Sequence, residues 1–310
     1  MDKKEKILVL GGSGLVGSSV TKHLESLDSF DVFSAKRSDA DLFSLKETND
    51  LIEKFKPDFI INCAAKVGGI LANNTYRTEF ILENLKINVN VLESLINKPQ
   101  ISLINLGSSC IYPLNADNPI SENSLMTGKL EPTNSPYAMA KLTAIEMGNS
   151  LQIQYGHKII NLMPTNLYGP NDNFSPENSH VIPGLMNRLH NSKKENSTSF
   201  EVWGTGTPLR EFLHVDDLSN CIAHLIKMNT DSGLYNVGSG EEISIKNLVD
   251  LLKEIIGFEG EILFNSDLPD GNPRKLLNSE KIFKTGWKPQ ISLQNGLRET
   301  YNWYLKNLDF

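Results

Sequence analysis

Cysteine is scarce: Cys63, Cys110 and Cys221 are the only three in 310 residues. An odd, scattered set builds no disulfide framework, and no two have the spacing of a metal-ligand pair, so no metal site is expected and a reducing compartment is. Long apolar runs are missing too. None approaches the roughly 20 residues needed to span a bilayer. The charged start, Met1 to Lys6, leads straight into a short strand with no apolar signal-peptide core. Nor is there an excess of positive charge. The net charge of −7 argues against general binding to nucleic acid or anionic membrane, although a few converging Arg and Lys side chains can still hold an anionic small molecule. No internal repeat is present. These absences lead to the expectation of a cytoplasmic soluble protein.

What is there reads as an ordinary globular chain, 39% hydrophobic and 22% charged, with a length that suggests about two domains. Short apolar runs (Ile7–Leu10, Asp31–Ala35, Phe59–Ala64, Ile101–Leu106, Ile159–Met163) alternate with helical stretches at Leu15–Leu27, Thr78–Ile96 and Tyr137–Tyr155. Such alternation predicts an α/β fold with a Rossmann-type, doubly wound parallel sheet and right-handed crossovers. The pattern is regular to about residue 165 and looser beyond. We expect a dinucleotide-binding domain over 1–165 and a smaller, mixed α/β substrate domain over 166–310, with a segment near 210–240 packing back onto the first. Asn191–Ser199 reads as a solvated loop, and Pro164 as the stop of the strand before it.

The first strand runs into Gly11-Gly12-Ser13-Gly14-Leu15-Val16-Gly17. Glycines at 11, 14 and 17 permit a tight turn and let backbone N–H groups approach a pyrophosphate at a helix N-terminus. Gly12, Gly14 and Gly17 also satisfy the G-x-G-x-x-G form. The turn by itself is a weak signal; its place between strand and helix is what points to a dinucleotide. NAD-preferring sites keep a carboxylate at the end of the second strand for the ribose 2′-OH. Here Lys36 and Arg37 follow Ala35 instead, and two cations suit a 2′-phosphate, so NADP(H) is expected. Asp41 and Leu42 come next and lie within reach of the adenine.

Tyr137 and Lys141 are four apart in a helical stretch and so share a face. An ammonium beside a phenol is expected to lower the phenol's pKa and let it exchange a proton with a carbonyl oxygen during hydride transfer. Leu106-Gly107-Ser108-Ser109-Cys110 ends a strand on the side where this architecture binds ligands. Ser108 is a candidate to hold the reacting oxygen, or else a turn cap. Pro164, Thr165, Asn166 and Leu167 follow another strand end, where the nicotinamide is expected.

Together, the glycine turn, the serine after the central strand and Tyr-x-x-x-Lys resemble the extended short-chain dehydrogenase/reductase family. Longer stretches are similar to its branch that converts GDP-4-keto-6-deoxy-D-mannose to GDP-L-fucose. These are Ala64–Ile70, Leu106–Pro113, Met163–Phe174, Asn178–Pro183, Val202–Leu218 and Pro269–Gly271. The resemblance covers nearly the whole chain. It implies NADPH-dependent epimerisation at C3 and C5 and reduction at C4 of a GDP-linked sugar.

For epimerisation, the resemblance implies Cys110 as base and His180 as acid, on opposite faces of the sugar; the residues alone do not fix which is which. Their bland alternatives are a small buried thiol and a helix-start imidazole bonded to backbone. The resemblance also puts His180 against the cofactor, as well as Leu106, Gly107, Ser109 and Lys141. It puts Arg188, Arg210, Trp203 and Asp270 against the substrate and implies a homodimer. For Trp203 the alternative is core packing; His214 reads as structural. Two departures stand out: Leu10 occupies a place where many relatives have Thr, and Ser13 one where some have a basic residue. The rival readings are another nucleotide-sugar epimerase or dehydratase of the same fold, and a non-catalytic NADP-binding regulator.

Overall fold

In a computed structural model the structure describes residues 4–175, 179–268 and 270–308. Met1, Asp2, Lys3, Asn178 and Pro269 of the stretches above lie outside them. The first half alternates as the apolar runs predict: β1 (Glu5–Leu10), α1 (Leu15–Glu25), β2 (Phe30–Ala35), α2 (Leu45–Phe55), β3 (Phe59–Asn62), the short α3 (Ile70–Thr75), α4 (Arg77–Glu93), β4 (Ser102–Leu106), α5 (Ser135–Tyr155) and β5 (Ile159–Pro164). The second half adds β6 (Asn166–Tyr168), α6 (Val181–Lys194), β7 (Ser199–Trp203), β8 (Leu209–His214), α7 (Val215–Lys227) and β9 (Gly233–Val237). It closes with β10 (Glu242–Ser244), α8 (Ile245–Ile256), β11 (Glu261–Asn265), β12 (Arg274–Lys275), α9 (Glu280–Phe283) and α10 (Leu293–Lys306).

Six strands form one parallel sheet in the order β2-β1-β3-β4-β5-β9. Strand side chains alternate between faces. In β1, Ile7 and Val9 pack with α1 and α7, whereas Leu8 and Leu10 pack with α2, α4 and α5. Burial on both faces is why β1 reads as an unbroken apolar run. The chain reverses its direction of progress between β1 and β3, and the crevice above such a switch is where ligands bind in open α/β sheets. The segment 210–240 returns to this sheet through α7 and β9. A separate core, including Tyr168, Met186, Phe200, Leu252 and Leu297, joins α6, α8 and α10 to β7 and β8.

Three details differ from the sequence expectation. β5 runs through Pro164, the strand's last residue, opposite Val237; the ladder to β9 is carried on by Thr165 N–H, which bonds to the Val237 carbonyl (3.0 Å), while the missing proline N–H is on the β4 side, where β4 has already ended at Leu106. α6 continues to Lys194, so the polar stretch from Asn191 is helical for its first four residues. Cys63 lies just past β3.

One feature the apolar pattern conceals is a buried asparagine ladder. Asn62, Asn105 and Asn161 stand in register on β3, β4 and β5. Asn62 Nδ2 donates to Asn105 Oδ1 (3.1 Å) and to Asn88 Oδ1 (3.2 Å), and Asn105 Nδ2 donates to Asn161 Oδ1 (3.3 Å). The three strand asparagines each bond to a neighbour, which lets a core tolerate them, whereas the buried Asn88 Nδ2 has no partner among the described residues.

Candidate active site

The glycine turn is built by close approach. Gly11 has φ +76°, and a Cβ there would lie 2.8 Å from the Ala64 backbone. Gly17 sits against the turn itself, where a Cβ would fall 2.1 Å from the Gly11 carbonyl oxygen. Ser13 and Gly14 are exposed at the start of α1, and no side chain caps that helix. Exposed N–H groups on a helix N-terminus are a ready anion site. Lys36 and Arg37 are exposed just past β2. Asp41 accepts from Phe43 N–H at 2.9 Å, and its own N–H is held by Glu47, so it shapes the turn before α2; Leu42 is packed into the core below. These residues fit a dinucleotide with a phosphorylated ribose: a bare N-terminus for the pyrophosphate and free cations where the 2′ position would fall.

Beyond β4, Gly107 N–H bonds to the Leu162 carbonyl and leads into a tight turn at Ser109–Ile111. Ser108 Oγ accepts from Cys110 N–H at 3.2 Å, so it does cap that turn. The same hydroxyl lies close enough to the Tyr137 phenol to favour its ionised form. Cys110 is half-buried, not lost in the core, and close enough to Tyr137 for a charge on its sulfur to be felt there. Tyr137 also meets Phe80 edge-on, with ring centroids 6.4 Å apart. Ser108, Cys110 and Tyr137 therefore form one contact group.

Lys141 differs from expectation. Its Nζ lies 5.8 Å from the Tyr137 ring centroid and donates to the Leu106 carbonyl at 2.7 Å. Burial drives its pKa down to about 8. The Tyr137 phenol is raised, first by burial and then by the Cys110 sulfur, with the nearby Ser108 hydroxyl in partial opposition. The ammonium, spent on the main chain, does not lower the phenol. This corrects the sequence expectation: the chain by itself keeps Tyr137 protonated, as a proton donor. Burial also pushes the Cys63 thiol up to about 12, opposed by the nearby Lys141 charge.

His180 is the N-cap residue of α6, yet its side chain caps nothing and makes no hydrogen bond among the described residues. It reaches solvent, but surrounding protein displaces enough water to hold the imidazolium below its usual range. The contacts joining Ser108, Cys110 and Tyr137 do not extend to it.

Among the substrate candidates, Trp203 is 63% exposed at the end of β7, which excludes core packing. The Arg188 guanidinium lies 4.8 Å from the Phe200 ring and 5.8 Å from that of Trp203 and borders an open cleft of about 350 Å³. Arg210 donates to the main-chain oxygens of Leu209 (2.8 Å) and Asn272 (2.6 Å). Asp270 accepts from Thr205 N–H (2.9 Å) and Oγ1 (2.6 Å), which spends it on the turn after Trp203. Thr165 Oγ1 and Asn166 Nδ2 both donate to the Glu211 carbonyl, at 3.1 and 2.8 Å, fixing the loop after β5; Leu167 packs against the first core. His214 Nδ1 accepts from Asp216 N–H at 3.3 Å and so caps α7. With Asp216 and Glu299 it also forms the one group of metal-type ligand atoms within 4.8 Å found among the described residues, one that no local spacing in sequence announces.

Two residues near the site have places the sequence did not give: Lys275, legible with Arg274 only as added positive potential beside Asp270, and Glu211. Lys275 Nζ lies 3.8 Å from Cys110 Sγ. The fully buried Glu211 accepts from Gly240 N–H (2.8 Å) and Leu277 N–H (3.1 Å). The only available signals were a basic pair at 274–275 and an acidic residue inside an apolar strand.

Comparison with known proteins adds four findings. Residues 7–238 match the model of the NAD dependent epimerase/dehydratase family. The chain is 48% identical over 310 residues to the probable GDP-L-fucose synthase 1 of Oryza sativa subsp. japonica, covering 99% of this chain and 94% of that protein. It is 47% identical over 307 residues to GDP-L-fucose synthase 1 of Arabidopsis thaliana, covering 99% and 95%. Among solved structures, the GDP-L-fucose synthetase of Naegleria fowleri bound to NADP superposes with a TM-score of 0.89 at 28% identity, covering 100% of this chain and 96% of that one.

Proposed function

The chain belongs to the NAD dependent epimerase/dehydratase family, and from that premise we propose that it converts GDP-4-keto-6-deoxy-D-mannose to GDP-L-fucose, epimerising C3 and C5 and reducing C4. The observation that carries this reading is the contact group of Ser108, Cys110 and Tyr137 at the carboxyl end of β4. Reduction alone needs a hydroxyl, a phenol and a lysine; a thiol beside them suits a second job. Full-length likeness to GDP-L-fucose synthases supports the same substrate.

The Gly11–Gly17 turn, Lys36 and Arg37 would hold NADPH, which when bound supplies the hydride for C4. The loop 164–167 and Lys141 would line the nicotinamide half of the cleft. Arg188 and Arg210 would take the diphosphate, with Trp203 against the base.

The 4-keto group acidifies the protons on C3 and C5. Cys110, as thiolate, takes a proton from one face and His180, as imidazolium, returns one to the other; each regains its starting form by proton exchange with solvent before the second carbon is inverted. Ser108 and Tyr137 hold the enolate oxygen by hydrogen bonds. Tyr137, which burial keeps as a phenol, then delivers its proton to the C4 oxygen as the carbonyl is reduced.

We also propose a cytoplasmic homodimer. Its support is an exposed apolar face on α4 and α5, where Leu82, Met139 and Ile153 are 50%, 44% and 85% exposed. Among the described residues, no helix is long and apolar enough to cross a membrane.

The test is to incubate purified protein with NADPH and GDP-4-keto-6-deoxy-D-mannose and identify the product by NMR. GDP-L-fucose with one NADPH consumed per product is expected. Turnover without net NADPH consumption points to a 4-epimerase or dehydratase and overturns the proposal.

A further inference from the structure

We propose that Lys275 is a positioning residue for Cys110: its ammonium holds the sulfur in the cleft and supports the negative charge that sulfur carries when poised to take a proton. This rests on the reading of Cys110 as the base.

The architecture delivers this lysine deliberately. β12 pairs in parallel with β8, setting Arg274 opposite Leu209 and Lys275 opposite Arg210. Adjacent strand residues face opposite ways. Arg274 is claimed on its side by Glu242 of β10, through Nε at 2.9 and 3.0 Å and Nη2 at 2.6 Å. Lys275 therefore turns the other way, toward Cys110.

The segment around it is pinned from both sides. Leu209 N–H bonds to the Pro273 carbonyl (2.9 Å) and the Glu211 carboxylate holds Leu277 N–H (3.1 Å). On the far side Leu276 N–H bonds to Asn118 Oδ1 (2.7 Å), Ile120 N–H to the Leu276 carbonyl (2.7 Å), and Asn278 N–H to the Ile120 carbonyl (2.8 Å). Residues 118–120 belong to the loop that leaves the Cys110 turn. The strand carrying the lysine is thus fastened to the loop carrying the thiol.

No carboxylate forms an ion pair with Lys275 among the described residues. Among the described residues, the one hydrogen bond of its side chain is to the Cys110 sulfur, at 3.8 Å. An ammonium at this distance attracts negative charge on the sulfur, and a thiolate is the form of cysteine that reacts both as base and as nucleophile.

The test reads the sulfur directly, without substrate. Iodoacetamide modification of Cys110 is followed at pH 7.5 by peptide mass spectrometry in the wild type, Lys275→Met, Lys275→Gln and Lys275→Arg. Both neutral variants should slow alkylation about tenfold, and Lys275→Arg should keep most of the wild-type rate. The buried core thiol Cys221 reports on folding, since it would become reactive if a variant opened. Equal rates at Cys110 in folded Lys275→Met or Lys275→Gln and the wild type overturn the proposal. A parallel measurement separates it from its premise: undiminished deuterium wash-in at C3 and C5 by Cys110→Ser would remove the base reading and leave the alkylation result standing.

Discussion

Lys141 Nζ donates a 2.7 Å hydrogen bond to the main-chain oxygen of Leu106, tying the second turn of α5 to the last residue of β4 and hence to the turn that carries Ser108 and Cys110. The bond comes with a buried charge. Burial lowers the folded-state pKa to about 8 from 10.5, so the folded protein binds this proton less tightly than the unfolded chain. The charge opposes folding below pH 8, and that opposition is relieved as the pH rises from about 8 to 10.5. The stability of the wild type relative to Lys141→Met should rise over that window, by as much as ~3 kcal/mol. Urea unfolding of the cofactor-free proteins at several pH values measures it; a flat difference contradicts the argument.

Tyr137 is the expected proton donor for reduction. Tyr137→Phe should lower the reduction rate by roughly 10²–10⁴-fold while deuterium exchange at C3 and C5 survives in part, because Ser108 still holds the enolate oxygen. Because burial holds the phenol above its ordinary range, the wild-type reduction rate should show no loss from phenol ionisation as the pH rises from 7 to 9. Single-turnover NADPH oxidation followed by absorbance checks both.

For His180 the sign runs the other way. Its imidazolium is disfavoured by burial, so the acid form declines with rising pH at values below 6.5. Deuterium wash-in should carry a limb that falls with pH in that acidic range. His180→Gln should abolish this limb and lower wash-in by about 10²-fold or more. An unchanged limb in His180→Gln would assign the acid to another group.

Lys36 and Arg37 are exposed and support no core contact. Arg37→Asp combined with Lys36→Ala should raise KM for NADPH by about 10–100-fold and change KM for NADH far less. The stability cost should stay within about 0.5 kcal/mol, as for other surface changes. Equal effects on the two cofactors would remove the 2′-phosphate contact.

The asparagine ladder predicts a graded stability series. Asn105→Leu takes away the partner of Asn161 Oδ1 and one of the two acceptors of Asn62 Nδ2, and should cost ~1–3 kcal/mol. Asn161→Leu removes only the outermost member and should cost less. Chemical denaturation of both variants orders them.

The first-half architecture was legible because it rests on local rules. Apolar runs of four to six residues separated by amphipathic stretches have few solutions other than a parallel sheet covered on both faces. The glycine turn was legible for the same reason: Gly11 and Gly17 occupy places where a Cβ would collide with backbone, so residue type follows from geometry within a few positions. Tyr-x-x-x-Lys was legible as spacing on one helix face.

The chemistry of that pair was not. Whether Tyr137 stands as phenol or phenolate depends on the water excluded around it and on what Lys141 finds to bond, and both are set by strands far away in the chain. The pairing of Lys275 with Cys110 joins residues 165 positions apart, through a two-residue strand with no periodicity to detect. Likewise Asn62, Asn105 and Asn161 look like three polar flaws in apolar strands until the sheet register sets them side by side. Composition and spacing determined which elements form and which residue types stand at the turn and on the helix face. Only the tertiary structure decided their charge states and partners, because desolvation and Coulomb energy depend on distance through space and not along the chain.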